Sequence, residues 1–194
     1  MDIRKYFKII PKNEPVNEVI NEPVNEYSQL SDSTIYIFVD GSVYNNGIKG
    51  KAYGGMGIFV SDNHSLNRSI KLDPSEKISN NVAEIKACIE AIKLVKDTYK
   101  KIIIYSDSQY TINCITKWAK LWQHHGWQRR VKTKMVEIKN KELIIELYNL
   151  YNKYDIRFIH VRSHQKEPND KNSIEYYKWY GNDMADKLAK NINE

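Results

Sequence analysis

A short stretch in the middle of the chain joins a buried strand, a carboxylate and a helix without a break. Residues 101–107 read KIIIYSD, and the β-branched run Ile102–Ile104 is typical of a buried strand. The run TINCITKWAKLW that starts at Thr111 reads as a helix. A strand that leads directly into a helix favours a sheet with helices packed against it, and it places Asp107 at the end of a strand.

Further strands and helices are predicted on both sides of this stretch. Three antiparallel strands are expected first, in IYIFVDGS, YGGMGIFV and LNRSIKL, followed by a helix in NNVAEIKACIEAIKLVKDTY with Asn81 as its N-cap. After the helix that begins near Ser108, the sequence predicts a helix over residues 141–153, a fifth strand in DIRFIHV and a last helix. This order predicts an α/β fold with a mixed sheet and helices packed on it.

Length and composition indicate one globular domain with a tail. The chain has 194 residues, of which 41% are apolar, and this is enough for a sizeable core. Residues 13–26 read NEPVNEVINEPVNE, a near repeat that predicts a flexible linker within a tail over residues 1–31. No stretch approaches the roughly 18 apolar residues of a membrane span, and the N-terminus lacks a secretory apolar run, so we expect an intracellular protein.

Positive charge is concentrated in one segment. The net charge of the chain is +6, and because residues 1–31 contribute −1, residues 32–194 carry +7. Residues 117–141 hold eight basic side chains against the single acid Glu137, together with Trp118, Trp122 and Trp127. Cationic side chains mixed with flat aromatic rings suit a groove that follows a nucleic-acid backbone. The alternative is a composition that is rich in Lys and Asn throughout.

Three acidic residues stand at strand ends or among apolar neighbours: Asp40, Glu84 and Asp107. Each has a structural explanation as well, with Asp40 opening a turn, Asp107 capping the next helix, and Glu84 forming a capping box with Asn81. Carboxylates from separate elements at the end of an open sheet tend to face one crevice. Taken together, the three therefore favour a shared site.

Five motifs follow one another in an order that belongs to a known family. They are FVDGS with Asp40, NNVAEIKA with Glu84, YSDSQY with Asp107, HVRSH with His164 and GNDMADKLA with Asp186. This series resembles the type 1 ribonuclease H family, and WAKLWQHHGW followed by KNKEL resembles that family's basic protrusion, here about residues 117–141. The resemblance implies a ribonuclease H-like fold over residues 32–194. Its five-stranded mixed sheet has three antiparallel strands, then two parallel ones, with helices on both faces.

The resemblance also implies roles for individual residues. Family members bind two Mg²⁺ ions, with Mn²⁺ as an alternative, through four carboxylates, which are matched here by Asp40, Glu84, Asp107 and Asp186. In the last motif the ligand stands four residues after an Asn, so Asn182 selects Asp186 rather than Asp183. His164 matches a histidine on a mobile loop that assists proton movement or product release. These five residues form the predicted catalytic set.

The implied substrate is an RNA/DNA hybrid, whose RNA strand is cut internally to leave 5′-phosphate and 3′-hydroxyl ends. The implied process is removal of primers or R-loops during DNA replication. Family positions suggest RNA minor-groove contacts from Asn46, Asn80 and Asn81, DNA phosphate contacts from Ser79 and Asn140, and DNA sugar contacts from Tyr110 and Trp118. The basic segment adds Trp127 and Lys132 as residues that hold the DNA strand without reading its sequence.

Two parts of the chain depart from the family pattern. Between His164 and Gly181 the sequence reads QKEPNDKNSIEYYKWY, where many members have only a few residues, so we expect a longer loop of altered geometry. Many eukaryotic members also carry an N-terminal hybrid-binding domain. Residues 1–31 are too few and too linker-like for one, so we expect no second binding module there.

Residues 2–8 resemble a sliding-clamp-binding peptide. Ile3 with Tyr6 and Phe7 has the spacing of an apolar plug followed by an aromatic pair on a short helical turn. The alternative is a disordered tail whose aromatic residues have no role. Binding to a clamp through a flexible linker would raise the local concentration of the enzyme. We expect a monomer in the nucleus or at a cytoplasmic replication site, with no membrane contact.

Two rival functions fit part of the pattern. A transposase or integrase core shares metal-bound carboxylates, but it leaves the basic protrusion and the GNDMADKLA helix unexplained. A non-catalytic hybrid-binding protein keeps the basic surface but does not need all four carboxylates. We therefore expect an RNA/DNA-hybrid endoribonuclease.

Overall fold

Three ranges of the chain, residues 33–48, 51–76 and 78–191, are described in the computed structural model. The predicted tail, with its linker repeat and the residues Ile3, Tyr6 and Phe7, lies outside the described residues. In the three described ranges, none of the helices has the length and apolar character needed to cross a bilayer.

The main sheet has the predicted topology. The strands in chain order are β1 (Thr34–Tyr44), β2 (Tyr53–Phe59), β3 (Arg68–Lys71), β4 (Lys101–Ser106), β5 (Gln128–Val131), β6 (Lys134–Glu137) and β7 (Asp155–His160). Five of them form one sheet in the spatial order β3-β2-β1-β4-β7. The pairs β3/β2 and β2/β1 are antiparallel, and the pairs β1/β4 and β4/β7 are parallel. The five-stranded mixed sheet is therefore confirmed.

Helices cover both faces of this sheet. In chain order they are α1 (Asn80–Val95), α2 (Gln109–Asn113), α3 (Ala119–His124), α4 (Lys141–Lys153) and α5 (Ile174–Lys190), with a π-helical segment (Cys114–Trp118) between α2 and α3. On one face, Ile37 and Val39 of β1 pack in a cluster with residues of α1 and α4. On the other face, Phe38 stacks on Tyr105 with ring centroids 4.5 Å apart, in a cluster that includes Tyr177 of α5. The predicted two-sided arrangement is confirmed.

The N-cap of α1 is Ser79, so the prediction of Asn81 was wrong. Ser79 has an extended backbone, and its hydroxyl accepts a hydrogen bond from the Val82 N–H at 3.4 Å. Asn80 and Asn81 already belong to the first turn of the helix. A serine with an extended backbone meets the requirements of an N-cap, whereas a residue with helical angles does not.

The insert after His164 is only partly a loop, contrary to expectation. Residues 174–180 form the first two turns of α5, and the hydroxyl of Ser173 caps them by accepting a hydrogen bond from the Tyr176 N–H at 3.1 Å. The basic segment also contains structure that was not predicted, because β5 and β6 pair as an antiparallel hairpin. The insert packs close to the predicted site, and the hairpin extends from the domain.

Candidate active site

Strand pairing places Asp40 and Asp107 side by side. In the parallel pair β1/β4, Val39 is opposite Ser106, so the two aspartates follow at the next position of each chain. Asp40 lies within β1, which continues to Tyr44, and therefore does not open a turn. The backbone at this end of the sheet thus brings two carboxylates from distant parts of the sequence together.

A close approach of α1 to β1 brings Glu84 to the same end of the sheet. A Cβ atom on Gly41 would overlap the backbone of Ala83 and Glu84, so only glycine lets the helix touch the strand next to Asp40. Glu84 accepts a hydrogen bond from the hydroxyl of Ser108. Since its carboxylate faces Ser108, and Ser79 is the cap of α1, the capping-box interpretation of Glu84 was wrong.

Ser108 links Glu84 to the start of α2. Its hydroxyl also accepts a hydrogen bond from the Thr111 N–H at 3.2 Å and lies 2.9 Å from the Thr111 hydroxyl, while its own N–H donates to Ser106 Oγ at 3.1 Å. Ser108, not Asp107, is therefore the N-cap of α2. This leaves the Asp107 carboxylate free to face the neighbouring acids.

The contact between α5 and β2 positions Asp186. Gly57 is opposite Asp40 in the β1/β2 pair, and a Cβ atom there would overlap the backbone carbonyl of Ala185. The helix therefore lies directly on the strand beside Asp40. Asp186 accepts a hydrogen bond from Lys190 Nζ at 2.6 Å, whereas Asp183 pairs with Lys187 Nζ at 2.7 Å.

The side chains that these elements position line one cleft of about 470 Å³, called the acidic cleft below. Its lining includes the four carboxylates Asp40, Glu84, Asp107 and Asp186. Asn80, Arg162, His164, Trp179, Asn182, Asp183 and Lys190 also line it. The predicted catalytic set therefore surrounds a single space.

Burial and like charges raise the pKa values of these acids. Burial raises the pKa of Asp40 to about 8, and the neighbouring charges of Asp107 and Asp186 act in the same direction. Burial also raises the pKa of Asp107, which hydrogen bonding by Asn182 opposes. Burial raises the pKa of Glu84, and the hydrogen bond from Ser108 opposes this rise. The acidic cleft therefore favours protons or cations.

His164 lies at the rim of the acidic cleft. It is exposed and has a left-handed backbone with φ of 53°, which an L-residue seldom adopts. His164 lines the same cleft as Asp107. The loop after β7 thus carries this histidine to the carboxylates.

The donor set of the acidic cleft fits hard divalent cations. Its four carboxylates supply oxygen ligands, the kind that Mg²⁺ and Mn²⁺ prefer. Within the described ranges, no three His, Cys, Asp or Glu side chains are grouped closely enough to form a ready-made metal site. Lys190 supplies the positive charge beside Asp186, and a divalent ion would compete with it for the same oxygens. The chemistry of the ligands therefore fits such ions.

The family described as RNase H matches residues 32–194 of this chain. The chain belongs to the RNase H family. It is 32% identical to Ribonuclease H1 of Mus musculus over 165 residues, which cover 84% of this chain and 51% of the relative. It is also 32% identical to Ribonuclease H of Orientia tsutsugamushi (strain Boryong) over 158 residues, 81% of this chain and 80% of that protein.

The fold is shared with a solved RNase H domain. The solution structure of the PFV RNase H domain superimposes with a TM-score of 0.62 at 24% identity, covering 80% of this chain and 91% of that one. This chain spans about half the length of the mouse relative, so the comparison concerns the RNase H domain.

The residues predicted to bind the substrate of this RNase H chain fall into two groups. Asn80 lines the acidic cleft. Eight others do not belong to its lining: Asn46, Ser79, Asn81, Tyr110, Trp118, Trp127, Lys132 and Asn140. Asn46 is exposed in the β1–β2 turn, and Asn81 is exposed in the first turn of α1, next to Asn80. Asn140 is the residue before α4 and has a left-handed backbone.

Aromatic rings form a row from α2 towards the basic protrusion, residues 117–141. The ring of Trp118 lies 6.3 Å from that of Tyr110 and 5.5 Å from that of Trp122. Trp118 is 37% exposed, so one side of this row faces solvent. Trp127 is half buried, with its ring 6.0 Å from that of Tyr148, and it anchors the protrusion to α4. A contact between Trp127 and substrate stays a prediction.

The hairpin β5–β6 presents the positive charge of the protrusion. All of its strand residues are exposed, including Arg129 and Arg130, and Lys132 stands in the connecting turn with φ of 53°. Arg129 and Arg130 line a groove together with Trp122, so these arginines lie near the aromatic row. Charge and rings therefore share one surface of the protrusion.

Sequence reasoning missed several residues that line the acidic cleft or support its carboxylates. Ser108 supports Glu84, Lys190 pairs with Asp186, and Trp179 forms part of the wall. One local signal was present, because Ser108 stands three residues before Thr111 in the spacing of an N-cap. The contacts of Ser108 with Glu84, and of Trp179 with the loop, join distant positions that no local pattern reveals.

Proposed function

We propose that this protein is an endonuclease that hydrolyses the RNA strand of RNA/DNA hybrids and leaves 5′-phosphate and 3′-hydroxyl ends. Membership of the RNase H family gives the reaction class. The observation that carries the proposal is the convergence of Asp40, Glu84, Asp107 and Asp186 on one cleft, in a domain that also presents an exposed basic hairpin. Such a site combines an anionic reaction centre with a surface for a polyanion.

The four carboxylates need cations to act on a phosphodiester. Two like charges 4 Å apart repel by about 1 kcal/mol in water and by about 4 kcal/mol at an effective dielectric constant near 20, and the substrate phosphate adds further negative charge. We propose that Asp40 contributes to both of two Mg²⁺ sites, Glu84 and Asp107 to one, and Asp186 to the other. When bound, the ions supply Lewis-acid charge for water activation and for the leaving oxygen.

Residues around the carboxylates orient them and influence their protonation. The Ser108 hydroxyl holds Glu84 Oε2, and hydrogen bonding by Asn182 favours the ionised form of Asp107. Lys190 Nζ balances the charge of Asp186. His164 at the rim would carry a proton towards the leaving oxygen or assist product release.

Specificity follows from the chemical difference between the two strands. Only RNA carries 2′-hydroxyl groups, which both donate and accept hydrogen bonds. The amides of Asn80 and Asn81 stand at the start of α1, beside the acidic cleft, and are suited to such hydroxyls. The row of Tyr110 and Trp118 and the cationic hairpin then serve the DNA strand through sugars and phosphates.

The setting of the reaction is a proposal of the same kind. Removal of primers or R-loops would use the hybrid substrate directly. The peptide with Ile3, Tyr6 and Phe7 would tether the enzyme to a sliding clamp, at a nuclear or cytoplasmic site of replication. A pull-down with purified clamp, comparing the whole chain with an Ile3→Ala/Phe7→Ala variant, tests this part. Equal capture of both chains would contradict the tether.

The function is tested with a hybrid whose RNA strand is end-labelled. Wild type is expected to cut the RNA in Mg²⁺ but not in chelator, and Asp107→Asn is expected to be inactive in both. RNA/RNA and DNA/DNA duplexes serve as substrate controls, and treatment of the products with a 5′-phosphate-dependent exonuclease identifies the ends. Equal cleavage by wild type and Asp107→Asn would contradict the proposed site.

A further inference from the structure

A hydrogen bond joins the loop that carries His164 to helix α5. The indole N–H of Trp179 donates to the backbone carbonyl of Gln165 at 3.0 Å, and Gln165 directly follows His164. His164, Gln165 and Trp179 all line the acidic cleft. The bond spans 14 residues and closes the segment between β7 and the second turn of α5 at the position of the histidine.

The loop is fixed at its start, where the Val161 N–H donates to the Ser106 carbonyl at 3.0 Å, and the side-chain hydrogen bonds beyond His164 are local apart from the Trp179 bond. The Gln165 side chain donates to the Ser163 carbonyl at 3.2 Å, the Asn172 N–H donates to Asp170 Oδ1 at 2.9 Å, and the Ser173 hydroxyl donates to the Asp170 carbonyl at 2.7 Å. Each of these three joins residues two or three apart, so they shape turns without fixing the part of the loop beyond His164 against the domain. The Trp179 bond connects the loop to a packed helix.

Trp179 is itself held by an aromatic row along the first two turns of α5. Its ring lies 5.6 Å from that of the buried Tyr176, and Tyr176 stacks on Tyr180 with centroids 6.0 Å apart. The Tyr180 hydroxyl donates to Asp62 Oδ1, at 2.7 Å, in the turn after β2. The row therefore connects the His164 loop, through the insert, to the opposite edge of the sheet.

We propose that Trp179 is a positioning residue that holds His164 at the acidic cleft. The inference rests on the proposed function, in which His164 acts near Asp107. His164 is exposed and has a left-handed backbone, so the loop needs an external contact to keep the imidazole at the carboxylates. Loss of the indole N–H would lower the fraction of enzyme with His164 in place, and it would leave hybrid binding by the protrusion unchanged.

The test compares two substitutions in the α5 row of Tyr176, Trp179 and Tyr180. Trp179→Phe keeps an aromatic ring and removes the hydrogen bond to Gln165, whereas Tyr180→Phe keeps the ring and removes the hydrogen bond to Asp62. Trp179→Phe is expected to lower kcat about threefold to tenfold with unchanged KM for the hybrid, the effect of one neutral hydrogen bond. Tyr180→Phe is expected to stay within about twofold of wild type. Equal losses of kcat in both variants would overturn the proposal.

A second background separates positioning from direct contact with substrate. In His164→Ala enzyme, adding Trp179→Phe is expected to lower kcat no further, because the residue acts through the histidine. A rise in KM that is the same with and without His164 would overturn the proposal, since it would show that the indole contacts the nucleic acid itself.

Limited trypsin digestion of the hybrid-free protein tests whether the Trp179–Gln165 hydrogen bond holds the loop, and it needs no activity measurement. Lys166 and Lys171 lie in the loop and are exposed. Trp179→Phe is expected to be cut there faster than wild type and Tyr180→Phe. Unchanged digestion and unchanged kcat in Trp179→Phe would overturn the positioning role of Trp179 but not the proposed function. Absence of hybrid cleavage by wild type would instead overturn the proposed function, and with it the catalytic role of the Trp179–Gln165 hydrogen bond.

Discussion

The acidic cleft and the basic protrusion hold charges of opposite sign in opposite ways. Asp40 is only 8% exposed, and its surroundings are fixed by the backbone contacts at Gly41 and Gly57. In the β5–β6 hairpin every strand residue is exposed, including Arg129 and Arg130. The negative charges are thus held together against their repulsion, whereas the positive charges are spread over a surface in water.

This difference separates two kinds of contribution to function. A buried charge interacts strongly with its neighbours, so a change of one atom in the acidic cleft is expected to alter the chemical step or the pH dependence of stability. An exposed charge is screened by water and salt, so each residue of the protrusion is expected to make a small and additive contribution to hybrid binding. The following changes test this division.

The largest effect is expected from Asp186→Asn. It removes one of the four carboxylates with almost no change in volume, and cleavage of the hybrid should fall by about a hundredfold or more, measured as kcat in Mg²⁺. The matched control is Asp183→Asn, one helical turn away, whose carboxylate pairs with Lys187. Its loss should be less than about tenfold. A larger loss for Asp183→Asn than for Asp186→Asn would reverse the assignment.

The pH dependence of stability should reveal the crowded acids. Because the pKa of Asp40 is raised to about 8, the folded state keeps a proton that the unfolded chain loses above about pH 4. In chelator, the free energy of unfolding should therefore fall as the pH rises from about 4 to 8, by up to about 1.4 kcal/mol per pH unit from this group. Thermal unfolding at several pH values measures it.

Substitution and metal addition identify which groups make the free energy of unfolding fall as the pH rises. Asp40→Asn should flatten it, whereas Asp183→Asn should keep it. Mg²⁺ should raise Tm more at pH 8 than at pH 5, since the ion binds the ionised carboxylates. A Tm increase that does not depend on pH would show that the acids are not forced together.

Ser108→Ala tests how strongly one hydrogen bond supports Glu84. The Ser108 hydroxyl opposes the rise in the pKa of Glu84, so its removal should raise that pKa further and move the acid side of the pH–rate profile to higher pH. At neutral pH, kcat should fall about threefold to tenfold. Ser173→Ala removes an equivalent helix cap that touches no carboxylate of the cleft and should leave the profile in place. A shift in both variants would indicate a general loss of stability.

The sequence predicted best where local periodicity and burial agree. The run at Ile102–Ile104 and the pattern around Asp40 marked two central strands, and the pairing of these strands determines where two carboxylates lie. The hairpin β5–β6 escaped prediction because all its residues are exposed, so QRRVKTKMVE shows no alternation of apolar and polar side chains. The helical turns at residues 174–180 were assigned to a loop because the family resemblance suggests one there.

Contacts between distant residues account for the rest of the site. Asp183 and Asp186 each pair with a lysine four residues later, so local pattern does not distinguish them. The overlap between Gly57 and the Ala185 carbonyl sets the helix on β2 and brings Asp186 to Asp40, and this contact joins β2 to α5. The hydrogen bond between Ser108 and Glu84 likewise joins two distant elements, the start of α2 and α1. Family motifs supplied the identity of the acids, and the fold supplies their support.

The smallest effect is expected from single substitutions in the protrusion, and it tests the other side of the comparison. Arg129→Ala should raise KM for the hybrid a few-fold, reduce the slope of log KM against log salt by about 1, and leave kcat unchanged. The control is Lys101→Ala, because Lys101 is equally exposed but begins β4, at the end of the strand away from Asp107. It should change neither KM nor the salt slope. A fall in kcat for Arg129→Ala would mean that the exposed charge also reaches the reaction centre, and an equal effect of Lys101→Ala would mean that only the total charge matters.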